Sequence, residues 1–236
     1  MSAGEVLRVS GVSKSYGRLK ALDGVSFSIR PGEVLGLIGP NGAGKTTLFE
    51  CLAGVLPSDS GTTLPREGAF YLPDAIAPWP AQTVRFGLDF MVGFFGGRAE
   101  LREEVTRSLS LGPLLTSRIG ELSKGQRKRV LLGLGLLAPQ SLLLIDEPFD
   151  GLDLKQSREV AATLRAHASA GRTLFLSIHQ ISDAARLCDR FVLLSGGKVC
   201  GEGTFDDLKA AALARHQEDA ARPAPADLEE VFLALT

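Results

Sequence analysis

Nine consecutive residues, Gly39-Pro40-Asn41-Gly42-Ala43-Gly44-Lys45-Thr46-Thr47, restrict this chain more than any other stretch. They follow the apolar run Val34-Leu35-Gly36-Leu37-Ile38, which reads as a strand, and precede Leu48-Phe49-Glu50-Cys51-Leu52-Ala53, which reads as a helix turn. A glycine-rich loop between a strand and a helix lets successive backbone N–H groups converge on an anion. The helix behind it aims its unpaired N–H groups and positive end at the same point. In that context G-x-x-x-x-G-K-[ST] is a phosphate cradle, with Lys45 reaching the β- and γ-phosphates and the Thr46 hydroxyl completing the coordination of Mg²⁺. The competing reading, an ordinary glycine-rich turn with a surface lysine, leaves the register of all nine residues and both flanks without a reason.

A second segment supplies the acids that such a cradle needs. In Ser141-Leu142-Leu143-Leu144-Ile145-Asp146-Glu147-Pro148, four apolar residues run into two carboxylates, the pattern of a buried parallel strand whose C-terminal end enters a site. Asp146 is placed to orient Mg²⁺ or its water shell, and Glu147 to align and polarise the water that attacks the γ-phosphorus. Phe149 to Asp153 then turns, a helix from about Lys155 to His167 follows, and the strand Thr173–Ile178 ends at His179. At a phosphate site that imidazole can hydrogen-bond the γ-phosphate or the water without being the base. A helix from Ile181 to Cys188 and strands at Arg190–Leu194 and Val199–Gly201, joined by a Ser195–Lys198 turn, complete a βα succession with a terminal hairpin.

Ahead of the cradle, Glu5–Ser10 and Val25–Ile29 alternate as strands of an edge sheet, with Lys14-Ser15-Tyr16-Gly17 between them. Tyr16 can stack on an adenine ring, but an isolated Tyr near a turn is ordinarily a packing residue. After the cradle, Gly54 to Gly61 is dense in breakers and reads as an exit loop. Gly68 to Pro73 is a short strand that delivers Asp74.

Residues 75–120 change character. Thr83 is placed to cap an amphipathic helix carrying Val84, Leu88, Met91, Val92 and Phe95. Gly96-Gly97 ends it, and a second helix runs from about Ala99. Phe residues at helical spacing are expected to make this lobe's own core, whereas Trp79, in a loop flanked by prolines, is the candidate for packing against a partner. The next helix begins at Ser123, a good N-cap, and Gly125 leaves room for close backbone approach. Its triplet Arg127-Lys128-Arg129 is expected on a solvated face, because three charges on one turn point in different directions.

Composition bounds the partners. Formal net charge is -1, from 26 basic and 27 acidic residues, so no global field draws the chain to nucleic acid, and no specific nucleic-acid partner is expected. Cys51, Cys188 and Cys200 stand singly, without metal or disulfide spacing. The first residues lack the basic start and apolar core of a secretory leader, and no apolar window is long enough to span a bilayer, so another chain is expected to supply any membrane crossing.

The ordered set GPNGAGKTT at 39–47, LSKGQ at 122–126, LLLIDEP at 142–148, GLD at 151–153 and His179 resembles the nucleotide-binding domain of ATP-binding cassette (ABC) proteins over about residues 5–205. The tail Asp227 to Thr236 resembles the end of ATPases from ABC-2 type exporters. The resemblance implies an α/β fold, a P-loop NTPase core with an edge antiparallel β region and a helical subdomain. The core is expected at residues 1–74 and 138–204, the helical and signature part at 75–137 and a short helical tail at 205–236.

The resemblance also implies ATP and Mg²⁺ as ligands and a head-to-tail dimer, taken as a homodimer, holding two ATP molecules between subunits. Lys45, Thr46, Asp146, Glu147 and His179 act in cis, while Ser123 and Gly125 complete the γ-phosphate site of the opposite chain. Asp153 couples the two sites, and Tyr16 becomes an adenine contact. A separate integral membrane permease is the implied partner, driven through the 75–120 lobe, with this chain peripheral at the cytoplasmic face.

Two departures stand out. Asp74 occupies the usual position of a Gln that joins the metal site to the helical lobe; Asp can still bind Mg²⁺ or its water, on a shorter and charged arm. Residues Gly61–Glu67 replace a longer segment, so a reduced edge sheet is expected.

In the tail, a helix from Phe205 to about Gln217, a stiff linker at 220–226 and a final helix capped by Asp227 are expected. The last helix carries Leu228, Val231, Phe232 and Leu235 and docks on its own domain or on a dimer mate. The function read from the sequence is the ATP-hydrolysing subunit of an exporter. A soluble ABC ATPase clamping nucleic acid, a ribosome or a protein complex is the alternative, and a nucleotide-sensing assembly factor a third reading.

Overall fold

The computed structural model describes residues 5–65, 68–74, 76–179, 181–216 and 227–235. The chain opens as a hairpin of β1 (Leu7–Tyr16) and β2 (Leu19–Ile29), paired from Leu7–Ile29 to Tyr16–Leu19. Residues 14–16 therefore lie in the strand and not in a connector. Three register shifts along β1 break the period of two on which the sequence reading depends. On the other side of β1 lies β4 (Ser60–Pro65), so Ser60 and Gly61 belong to a strand and not to the expected loop; the small antiparallel sheet has the order β2-β1-β4.

The main sheet is built from β3 (Val34–Ile38), β5 (Ala69–Leu72), β6 (Leu142–Asp146), β7 (Thr173–Ile178), β8 (Arg190–Ser195) and β9 (Lys198–Gly203). Its order is β5-β6-β7-β3-β8-β9, parallel throughout except for β9. Near-continuous apolar strands are what a sheet covered on both faces requires. Leu35, Leu37 and Leu144 face a core shared with the antiparallel sheet, while Val34, Ile38 and Ile145 face the helical side. The parallel order places the C-terminal ends of β3, β6 and β7 side by side, and the chemistry gathers there.

The helical lobe contains α2 (Val84–Phe95) and α3 (Ala99–Ser108), which pack on α4 (Lys124–Leu136). The Thr83 side chain accepts from the Phe86 N–H at 3.2 Å, and Gly96, at φ 64°, stops the helix as expected. The core expectation for the phenylalanines fails for three of them. Val84, Leu88 and Met91 face inward, whereas Phe86, Phe90 and Phe94 are 43%, 42% and 69% exposed. Phe86 and Phe90 follow Val84 and Leu88 by two residues, about 200° around a helix, and so turn away from the core, with Phe94 one turn further along the same outer stripe. Trp79 joins the outer stripe, its ring 4.8 Å from that of Phe90.

The solvated-face expectation for Arg127-Lys128-Arg129 is also corrected. Ten of the thirteen residues of α4 are buried, Lys128 and Arg129 among them. From Lys128 onward the helix is buried and has no wet face to give its charges, so each finds a fixed partner. Arg129 donates to the carbonyls of Leu109 and Ser110 at 3.1 and 3.2 Å and closes the end of α3. Arg127 donates to the Leu122 carbonyl. The uninterrupted apolar run from Val130 onward was the signal that this helix is enclosed.

Between β3 and β5 runs α1 (Lys45–Leu52). After β6 come α5 (Leu154–Ser169), α6 (Ile181–Leu187) and α7 (Phe205–His216), and α8 (Leu228–Leu235) closes the described chain. Asp227 caps α8, accepting from the Glu229 and Glu230 N–H groups, and Leu228, Val231 and Leu235 are buried in the domain's own core. That settles the docking side of the final helix. The proposed linker at 220–226 and residue Gln217 lie outside the described residues. All three cysteines are free, and burial raises the thiol pKa of Cys51 and Cys188. Among the described residues no helix is long and apolar enough to cross a membrane.

Candidate nucleotide site

Gly44 closes the loop of residues 39–44 at φ 104°, and a Cβ there would lie 2.4 Å from the Ala21 carbonyl. Only glycine serves, and it leaves α1 with no side-chain cap. The first N–H groups of α1 are thus left for an anion. Lys45, 6% exposed, folds its ammonium over the loop, donating to the carbonyls of Gly39 at 2.7 Å and Pro40 at 3.3 Å. Burial lowers its pKa, and the negative charges of Glu147 and Asp146 oppose that shift. Ala43 is buried, its N–H bonded to the Pro40 carbonyl.

Asp146, 3% exposed at the end of β6, is held through both oxygens. Thr46 Oγ1 donates to Oδ2 at 2.9 Å, and Ser177 Oγ donates to Oδ1. Ser177 lies on β7, fully buried, and its hydroxyl also accepts from the Glu147 N–H at 3.0 Å. One side chain from the neighbouring strand thus fixes both acids. Glu147 itself sits at φ 49°, a left-handed backbone unusual for a non-glycine residue and typical of strain held at a working site.

A cleft of about 420 Å³ is lined by Tyr16, Asn41, Gly42, Lys45, Thr47 and Glu147 among others. Tyr16, 47% exposed, stands at its mouth, because the long β1–β2 hairpin carries the ring to the phosphate loop. Contiguous sequence gave no way to choose this over packing. A second cavity, about 190 Å³, is lined by Glu147, Asp150, Gly151, Ser177 and the exposed His179.

Ser123 and Gly125 do not line the Lys45 cleft. Ser123 forms a reciprocal capping box with Gln126 and is exposed at the start of α4. The close approach that Gly125 permits is to its own chain, since a Cβ would come within 2.5 Å of the Gly151 carbonyl. Asp153 accepts from the Gln156 N–H at 2.8 Å and caps α5 while remaining exposed.

Asp74 lies beside the two acids of the site, at the exit of β5. Its carboxylate is ion-paired with the buried ammonium of Lys128. Asp74, Glu147 and Asp150 bring carboxylate oxygens within 4.8 Å of one another, and Lys124 pairs with Asp150 at 2.5 Å. Ser177, Lys128 and Asp150 are the members of this site that sequence reasoning missed. A serine in an apolar strand beside the strand that carries the two acids was the one available hint.

A phosphate cradle, two acids on an adjacent strand and a helix start in the sequence LSKGQ define a P-loop ATPase of the cassette type. Residues 22–150 match the family model described as ABC transporter. The chain is 35% identical over 215 residues to Nod factor export ATP-binding protein I of Rhizobium etli, covering 84% of this chain and 68% of that protein. It is 31% identical over 219 residues to linearmycin resistance ATP-binding protein LnrL of Bacillus subtilis, covering 86% and 70%. A solved structure described as an ATP-binding subunit of an ABC transporter superposes with a TM-score of 0.84 at 26% identity, covering 98% of this chain and 99% of that one. The chain belongs to the ABC transporter family; it is an ATP-binding subunit, and its reaction is the hydrolysis of ATP.

Proposed function

We propose that this chain energises a membrane exporter, working as a head-to-tail dimer that closes on two ATP molecules and drives a separate permease. The observation that carries the dimer is the separation of the two half-sites. Lys45, Thr46, Asp146 and Glu147 surround one cleft, while Ser123 is exposed elsewhere with its hydroxyl oriented by a capping box. A second chain, taken as identical, would bring its own Ser123 and Gly125 to the γ-phosphate. Export is supported by relatives named for Nod factor export and linearmycin resistance.

Thr46 Oγ1 and Asp146 Oδ2 form a pair of hard oxygen donors of the kind that Mg²⁺ accepts, which is the role assigned to them here. Bound there, Mg²⁺ would neutralise charge on the β- and γ-phosphates. Lys45 exchanges its carbonyl partners for phosphate oxygens, Tyr16 covers the adenine, and residues 39–47 supply backbone N–H groups. Glu147, fixed by Ser177, orients and polarises the attacking water, with His179 at the γ-phosphate side. Asp153, at the turn after β6, couples the paired sites. Asp74 is the ion-pair partner of Lys128 in this chain, beside the carboxylates of Glu147 and Asp150. The outer face of α2, with Trp79, Phe90 and Phe94 exposed, is the apolar surface available to the permease, and docking there would hold the chain peripherally at the cytoplasmic face of the membrane.

The test is Glu147→Gln with Mg-ATP. ATP binding is retained, turnover falls about 10²- to 10⁴-fold, and the trapped protein sediments as a dimer. Captured from detergent-solubilised membranes, it brings a multi-span chain that is lost when Trp79 and Phe90 are made polar. A monomer under saturating ATP, or capture of cytosolic machinery alone, would overturn the proposal.

A further inference from the structure

Lys128 has no role in the phosphate chemistry, yet it is among the most enclosed charges in the chain. Its side chain is 5% exposed, and its ammonium contacts the Asp74 carboxylate and, at 3.4 Å, the carbonyl of Asp146. An ammonium in such a place must be paired, because an uncompensated buried charge is costly. The Asp74 carboxylate lies in the same cluster as those of Glu147 and Asp150, all within 4.8 Å. On the outer side of that cluster Lys124, one turn earlier on α4, already holds Asp150. Glu147 is left as the carboxylate not ion-paired to either lysine, the one whose negative charge must face water and γ-phosphate.

We propose that Asp74 and Lys128 form a latch between α4 and the nucleotide site, in which Asp74 is a positioning residue that keeps the Lys128 ammonium off Glu147. Lysine carries three N–H donors on a flexible four-carbon arm, so an ammonium deprived of Asp74 takes the next carboxylate of the cluster. That carboxylate is Glu147. The latch also ties the helix that begins at Ser123 to the end of β6 through the Asp146 carbonyl. Movement of α4 therefore changes what Lys128 holds. Asp74 supplies the charge that this buried ammonium requires. It rests on Glu147 as the residue that polarises the water.

The experiment compares Asp74→Gln, Lys128→Gln and the double variant in the full chain. It measures steady-state ATP hydrolysis per nucleotide-binding site, binding of a fluorescent ATP analogue and thermal unfolding. Asp74→Gln is expected to lower kcat about tenfold or more while KM stays within about twofold, since the loss lies in the use of Glu147 and not in ATP binding. Adding Lys128→Gln to it is expected to restore kcat to within about threefold of the parent, because no ammonium remains to capture Glu147. A merely structural pair would move unfolding and leave kcat per site alone.

Parent-like kcat in Asp74→Gln, or a double variant no faster than that single one, overturns the latch. Should Asp74→Gln not fold, the isosteric Asp74→Asn read against Asp74→Asn/Lys128→Gln carries the same comparison. Glu147→Gln measured alongside separates the two readings. Parent-like turnover there removes Glu147 from catalysis, whereas an inactive Glu147→Gln with parent-like Asp74→Gln refutes the latch alone.

Discussion

Replacing Ser177 by Ala tests whether one hydroxyl from the neighbouring strand organises both acids. Ser177 is fully buried; its Oγ donates to Asp146 Oδ1 and accepts from the Glu147 N–H at 3.0 Å. The substitution leaves Asp146 with Thr46 at 2.9 Å, and leaves the Glu147 N–H with the Ser177 carbonyl at 3.2 Å. The principal loss is one charge-assisted hydrogen bond to a buried carboxylate, about 1.5–3 kcal/mol. At about 1.4 kcal/mol per decade this corresponds to roughly a 10- to 100-fold fall in kcat/KM for Mg-ATP. The deficit should be largest at limiting Mg²⁺, because a carboxylate free to rotate presents its oxygen to the metal less often. Phosphate release measured across a Mg²⁺ titration, with binding of metal-free ATP as control, reads the effect directly. Hydrolysis within about twofold of the parent at both limiting and saturating Mg²⁺ would refute the reasoning.

Gly125→Ala would push a methyl to 2.5 Å from the Gly151 carbonyl and separate α4 from the turn after β6; a stability loss of about 1–3 kcal/mol in urea and a larger loss of ATPase are expected. Unchanged unfolding would show that the turn yields freely. Burial and the Arg172 guanidinium hold the His167 imidazole below its usual value near 6.5. The unfolded chain then binds a proton that the folded chain refuses, so stability falls as pH drops from about 6.5 through the folded-state value. His167→Gln should flatten that slope in urea melts between about pH 5 and 7.5, and parallel curves for the two proteins would contradict it. Leu235→Ala, at a site 3% exposed, should cost about 2–3 kcal/mol without changing ATP affinity, and the loss should not vary with protein concentration, as it would had α8 docked on a second chain.

Elements whose cause is local were legible. The helix from Thr83 to Gly96 carries its own cap and stop, and the strands at 34–38 and 142–146 carry uninterrupted apolar runs. Bulges hid the true length of β1, and the burial of Lys128 and Arg129 went against the habit of placing charges in water. On α2 the apolar residues point both ways, so periodicity alone did not say which stripe faces the core.

The sequence by itself determined the phosphate loop, the two acids and the helix start at Ser123, because backbone geometry over a few bonded residues is dictated by the residues themselves. Tertiary structure decided who meets whom. Thr46 reaches Asp146 across 100 residues, Lys128 reaches Asp74 across 54, and Ser177 reaches Asp146 across 31. Those pairings follow from the strand order and from an α4 buried from Lys128 onward. The physical reason is that a charge's partner is chosen by the packing that excludes water around it, and packing belongs to no single stretch of chain.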